Sequence, residues 1–213
     1  MQNDAASDGE QRAITALMPV IAGDDRRCGV VLAGRLVPAP ERRVEQDRVV
    51  YMIYATKTLL DRVKQPILTP AADAATALGN WYAMVIFWKP HVALFVNERT
   101  LLPVMMPLAP AKDLGARFPA AMFEVLAAHG VNPAFVKTEA RLMGSCGWSK
   151  KKKRSVVGIM NEFVFLSEHE YRHRPTITLI DLSVRLASTP CGPLYSRHIS
   201  PDRELRALVD QHR

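Results

Sequence analysis

Between Trp81 and Met106, three apolar segments follow one another with room only for tight turns between them. Residues 81–88 lead into Lys89-Pro90-His91, residues 92–96 lead into Asn97-Glu98-Arg99, and residues 100–106 are closed by Pro107. A parallel strand pair needs a crossover of about a dozen residues or more, whereas an antiparallel pair closes through a short hairpin. Three such strands in series therefore predict an antiparallel meander. Pro103 lies inside the third segment and has no N–H to give a neighbour, which places that segment at a sheet edge.

The flanking sequence supplies the other elements. Residues 49–55 (VVYMIYA) read as a further strand, rich in β-branched and aromatic residues. Thr56 then opens a short helix with Leu59, Leu60 and Val63 facing inward, and residues 66–77 read as a loop. Downstream the period changes to that of helices. Leu114, Phe118, Met122, Val125 and Leu126 mark one helix, which Gly130 stops, and Asn132-Pro133 opens the next. Trp148 begins a short strand. A helix over 156–171 buries Val156, Met160, Phe163 and Val164. Leu179, Leu182 and Leu186 mark another, and Ser200-Pro201-Asp202 opens the last. Strands cluster first and helices second, so the expected fold is α+β, a small antiparallel β-meander packed against several helices. In residues 1–48 no period persists; they read as an N-terminal extension, weakly ordered or a tail, before a single α+β domain over 49–213.

No apolar stretch reaches the roughly 18 uncharged residues of a membrane span, and Met1 to Glu10 is polar and acidic, unlike a secretory signal. The three cysteines, Cys28, Cys146 and Cys191, are widely spaced and odd in number, which argues against a disulfide framework. The cytoplasm is the expected location. The net charge of +7 is unevenly spread: residues 1–136 hold 14 Lys/Arg against 13 Asp/Glu, residues 137–213 hold 14 against 8. A basic field confined to the last third of a chain favours polyanionic partners.

That field peaks at Lys150-Lys151-Lys152-Lys153-Arg154, which runs straight into Ser155, read as a helix cap. Open amides, the positive end of a helix dipole and a cation cluster would meet there, a combination that suits phosphate. The expected anion-binding residues are Lys150, Lys151, Arg154, Ser155, Gly158 and Asn161. Arg grips phosphate through paired N–H bonds and Lys as a point charge; Gly158 in the first turn would permit close approach. The same lysine run also reads as a plain solvated loop. A secondary polar cluster comprises Lys57, Asn80, Trp81, Asn97, Glu98 and Arg99, with turn chemistry as its simpler account. His169-Glu170-Tyr171-Arg172-His173 fits the two-histidine zinc-hydrolase pattern. Arg172 inside it, Arg174 and Pro175 after it, and no clear third ligand make His169 and His173 weak metal candidates and leave a solvated helix end as the favoured account. No Ser/His/Asp set and no Gly-rich nucleotide fingerprint stands out, so no cofactor is expected and a binding role is favoured over an enzyme.

Several segments together carry a resemblance: Ala55-Thr56-Lys57 with Leu59-Leu60, then Leu78-Gly79-Asn80-Trp81-Tyr82-Ala83, then Asn97-Glu98-Arg99-Thr100-Leu101. They continue with Arg154-Ser155-Val156-Val157-Gly158, Met160-Asn161-Glu162, and Leu186 through Thr189-Pro190-Cys191-Gly192-Pro193-Leu194. In this order they resemble a family of uncharacterised bacterial proteins, a domain of unknown function, over residues 52–209. The resemblance implies that residues 1–48 lie outside the shared domain, and it brings no activity with it. Lys150, Arg154 and Ser155 fit the family pattern; Lys151, Lys152 and Lys153 stand where it has small polar residues. The reading is an accessory or regulatory module for nucleic acid or a phosphorylated ligand. Its alternatives are a zinc-dependent hydrolase, or a protein-interaction module docking through the meander edge near Pro103 or through the N-terminal tail.

Overall fold

The computed structural model describes residues 30–32, 35–37, 49–69, 74–150 and 153–212. The chain divides into two compact units, residues 1–44 and 45–213. In the first, β1 (Val30–Leu32) pairs antiparallel with β2 (Arg35–Val37), Val30 opposite Val37. The rest of residues 1–48, apart from these six, lies outside the described residues.

In the second unit the strands are β3 (Val49–Ala55), β4 (Trp81–Ile86), β5 (Val92–Asn97), β6 (Pro103–Pro107) and β7 (Ser145–Ser149). They form one sheet in the order β6-β5-β4-β3-β7. β4, β5 and β6 are the expected meander, Trp81 opposite Asn97 and Leu94 opposite Met105. β3 runs parallel to both β4 and β7, so the sheet is mixed. The physical reason is connection length: α1 (Lys57–Val63) and the residues after it lie between β3 and β4, enough chain to cross over. The remaining helices are α2 (Leu114–Ala128), α3 (Pro133–Leu142), α4 (Arg154–His173), α5 (Leu179–Ala187) and α6 (Pro201–Asp210). The fold class is α+β, as the order of elements predicts.

The strands are buried on both sides because helices cover both. Tyr51, Ile53, Trp81 and Phe95 share one face with Leu59 of α1, Phe118 of α2 and Leu205 of α6. Met52, Tyr54, Tyr82 and Leu94 turn to the other, against Met160 and Phe163 of α4 and Leu182 of α5. Successive strand residues alternate between the two clusters, as the pleat requires. α2 approaches β7 so closely that a Cβ on Gly115 would stand 2.7 Å from Cys146 Sγ, so any larger residue would have to displace that side chain.

β6 is an edge strand, as Pro103 predicts, but it starts at Pro103 rather than Thr100. The intervening residues belong to the turn: Thr100 N–H donates to Asn97 Oδ1, Leu101 N–H to the Asn97 carbonyl and Leu102 N–H to the Thr100 hydroxyl. The edge is also closed. Met105 N–H points away from β5 and donates to Ser183 Oγ of α5 at 2.9 Å. Two residues either side, in the same phase, stand Pro103 and Pro107, which have no N–H to offer. Arg117 caps the Pro107 and Leu108 carbonyls at 3.1 and 3.0 Å. The expectation of partner docking at this edge is therefore corrected: α5 already occupies it. At the other edge, Leu68 N–H donates to the Trp148 carbonyl at 2.8 Å. No helix among the described residues is long and apolar enough to cross a membrane.

Candidate functional site

β7 ends at Ser149 and α4 begins at Arg154, so the basic run spans the link between them. The expected cap, Ser155, is corrected. Lys153 is the capping residue; its carbonyl accepts from Val156 and Val157 N–H, both at 3.1 Å, while Ser155 is exposed inside the first turn. The Tyr82 phenol of β4 lies near enough to the Lys153 backbone for that amide to lower its pKa. The first intrahelical bonds begin with Val156, so the Arg154 and Ser155 amides precede them and face out of the helix mouth. Lys150, Lys153 and Arg154 are all exposed. Lys151, with Lys152, lies outside the described residues. Arg154, Gly158 and Asn161 follow one another along an exposed helix face. A Cβ on Gly158 would meet nothing within 4 Å, so no close approach within the chain requires this glycine.

The secondary cluster is partly assembled. Asn97 is fully buried: Nδ2 donates to the carbonyls of Leu78 (2.9 Å) and Asn80 (3.3 Å), and Oδ1 accepts from Arg99 N–H, Thr100 N–H and the Thr100 hydroxyl. Every polar atom is spent on backbone or turn, so its role is structural. Asn80 Oδ1 accepts from Met52 N–H at 2.9 Å, and its Nδ2 donates to Glu98 Oε2. Arg99 donates to the Ala77 carbonyl at 2.7 Å. Two members do not join. Trp81 is a core residue, edge-on to Phe118. Lys57 is exposed in the first turn of α1, beyond the end of β3, whereas Asn80 is level with Met52.

What ties this cluster to the mouth of α4 is a pair of tyrosines. Tyr54 and Tyr82 are opposite each other in the β3–β4 register, with ring centroids 5.1 Å apart. Burial pushes the Tyr82 phenol up to about 12; Glu98 and then Tyr54 add to this, and the Lys153 amide opposes it. Burial and then Glu98 likewise push Tyr54 up. Both phenols are neutral hydrogen-bonding groups at neutral pH. Alternation alone puts each on this face, but their adjacency needs the parallel register. Glu98 repels an anion near the tyrosines, so the favourable flank is that of Lys150 and Arg154.

A second feature has no counterpart in the sequence motifs. A cavity of about 630 Å³ is lined by residues that include Ala77, Arg99, Phe135, Thr138, Glu139 and His212. Glu139 is 1% exposed; Oε1 accepts from Ala77 N–H at 2.7 Å and Oε2 from Leu78 N–H at 3.5 Å. Burial raises its pKa, against the lowering pull of the two amides, His212 and Arg99. A carboxyl with a raised folded-state pKa holds its proton more tightly folded than unfolded. Its contribution is therefore fully present below the ordinary carboxylate range and is lost as pH rises through the folded value. In urea unfolding between about pH 4 and pH 7, the stability of the wild type relative to Glu139→Gln is expected to decline with rising pH. A relative stability that rises with pH would reverse the assignment.

The histidine pair is not built for catalysis. His169 and His173 are exposed, with rings 4.3 Å apart and His173 Nδ1 on the His169 carbonyl. Glu170, the would-be base, is paired with Arg185 at 3.0 Å and Arg174 at 3.9 Å. Among the described residues no group of three or more His, Cys, Asp or Glu is placed to hold a metal.

The chain belongs to the family described as a domain of unknown function, DUF6933, whose model matches residues 52–204. No curated protein and no solved structure shows significant similarity to it.

Proposed function

We propose that this member of the family is an accessory binding module for a phosphate-bearing ligand, nucleic acid foremost, rather than an enzyme. The reading is supported by the start of α4, a 20-residue helix that opens on exposed Arg154 directly after exposed Lys153, with exposed Lys150 just past the end of β7. Arg154 and Lys150 contact phosphate, the Arg154 and Ser155 amides complete the cradle, and Asn161 borders it. The excess of cations in residues 137–213 supplies a long-range field of matching sign. A cytoplasmic location accords with the free thiols Cys146 and Cys191. Burial, then Glu162, pushes the Cys191 thiol up to about 12, which keeps it inert.

Salt titration of binding to a fluorescent single-stranded oligonucleotide tests this. Affinity is expected to fall steeply with salt, and a Lys150→Ala/Arg154→Ala variant to lose about tenfold or more and to flatten the log–log slope by about 1–2. Absence of binding at low salt, or a variant indistinguishable from wild type, overturns the proposal. Competition by inorganic phosphate alone at comparable concentration would point to a small phosphorylated ligand instead of a nucleic acid.

A further inference from the structure

The cavity beside α3 and α6 lies on the opposite face of the sheet from α4 and is independent of the phosphate reading. Its volume of about 630 Å³ is that of a small-molecule site. Its polar lining includes one acidic and one basic group, the Glu139 carboxyl and the Arg99 guanidinium. Glu139 is almost wholly buried and receives one short and one long amide hydrogen bond. A carboxylate has about four acceptor positions, so capacity remains, whereas Arg99 on the rim is exposed. Arg99 is held in place at two points: one nitrogen donates to the Ala77 carbonyl, and the stem covers Gly79, where a Cβ would stand 3.1 Å from Arg99 Cδ. A guanidinium has five N–H donors in a planar fork, which suits a carboxylate.

Several other polar groups of the lining bond within the chain. Asn132 Oδ1 accepts from Ala134 N–H, and the Thr138 hydroxyl donates to the Ala134 carbonyl. His212 Nδ1 donates to the Leu208 carbonyl, and the ring stands edge-on to Phe135. Phe135, Leu142 and Val209 supply apolar wall. Arg99 and Glu139 attract each other across the cavity, and a ligand with one charge would pair with only one of them. A dipolar ligand satisfies both.

We infer that this cavity binds a small zwitterion of the amino-acid type, its carboxylate on Arg99, its ammonium over Glu139 and its apolar side chain against Phe135, Leu142 and Val209.

Calorimetric titration of the full chain with L-phenylalanine and L-leucine is the test. Each is expected to bind with a dissociation constant in the range of about 0.01–1 mM. Phenylalaninamide, without the carboxylate, and 3-phenylpropionate, without the ammonium, are each expected to bind about tenfold or more weakly. Thr138→Trp, from an exposed helical position, fills the cavity and is expected to abolish binding while the oligonucleotide affinity stays unchanged. Ala134→Phe repeats the block should the first variant fail to fold. Binding of neither amino acid at about 10 mM, survival of binding in the filled variants, or equal affinity for the truncated probes would each sink the inference.

Discussion

Phe118→Ala is expected to cost about 3–5 kcal/mol of folding free energy, among the largest effects of any single truncation in this chain. Phe118 is fully buried in α2, and its ring meets three strands at once. It stacks on Phe95 of β5 at 4.2 Å, stands edge-on to Trp81 of β4 at 4.9 Å, and lies 6.3 Å from Tyr51 of β3. Three aromatic neighbours anchored in a hydrogen-bonded sheet cannot collapse into the void, so the cavity term is added in full to the lost transfer term. Aromatic pairing contributes about 0.5–1.5 kcal/mol per pair beyond buried area. Phe118→Leu is expected to retain more than half of the stability lost in the alanine variant. Urea unfolding reads both, and a loss below about 1 kcal/mol in Phe118→Ala would show that α2 is not docked through this ring.

Asn97→Ala is expected to cost about 3–5 kcal/mol although it deletes only a small polar group. Its amide joins the Leu78 and Asn80 carbonyls to the Arg99 and Thr100 amides. Removal strands several buried backbone groups at about 1–3 kcal/mol each, with partial relief from water. Asn97→Asp separates the two halves of the network. It keeps an acceptor for Arg99 and Thr100 but sets carboxylate oxygen against two carbonyls. That variant is also expected to be destabilised, most at neutral pH where the side chain is charged. Amide exchange at Arg99 and Thr100 should quicken in the alanine variant more than in the aspartate one. Unchanged exchange at both amides would mean that the turn holds itself together without Asn97.

The parts of the molecule legible in advance are those set by neighbours in sequence. The meander follows from linker length, α3 from Asn132-Pro133, whose side chain does accept from Ala134 N–H, and the edge position of β6 from Pro103. Boundaries were less legible wherever a distant group competes for the backbone. Asn97 draws Thr100 out of β6, and Lys153 rather than Ser155 takes the capping position of α4. The zinc pattern has the right residues at the right spacing, yet Arg185, on α5, takes its glutamate. Glu139 has no local mark at all. It reads as one more acid on an amphipathic helix, and only the passage of residues 77 and 78 beside α3 makes it a buried carboxylate at the floor of a cavity.

Sequence alone determined most elements after residue 48, the fold class and the concentration of positive charge, because helix period, strand alternation and hairpin length are set by interactions within a few residues; it missed β1 and β2 and placed the start of β7 at Trp148 instead of Ser145. Tertiary structure alone decided the parallel placement of β3, the closure of the β6 edge, the pairing of Tyr54 with Tyr82 and the meeting of Arg99 with Glu139 around one cavity. Those depend on register and on contacts between residues far apart in the chain, where many pairings satisfy the same local pattern and only the packed core selects one.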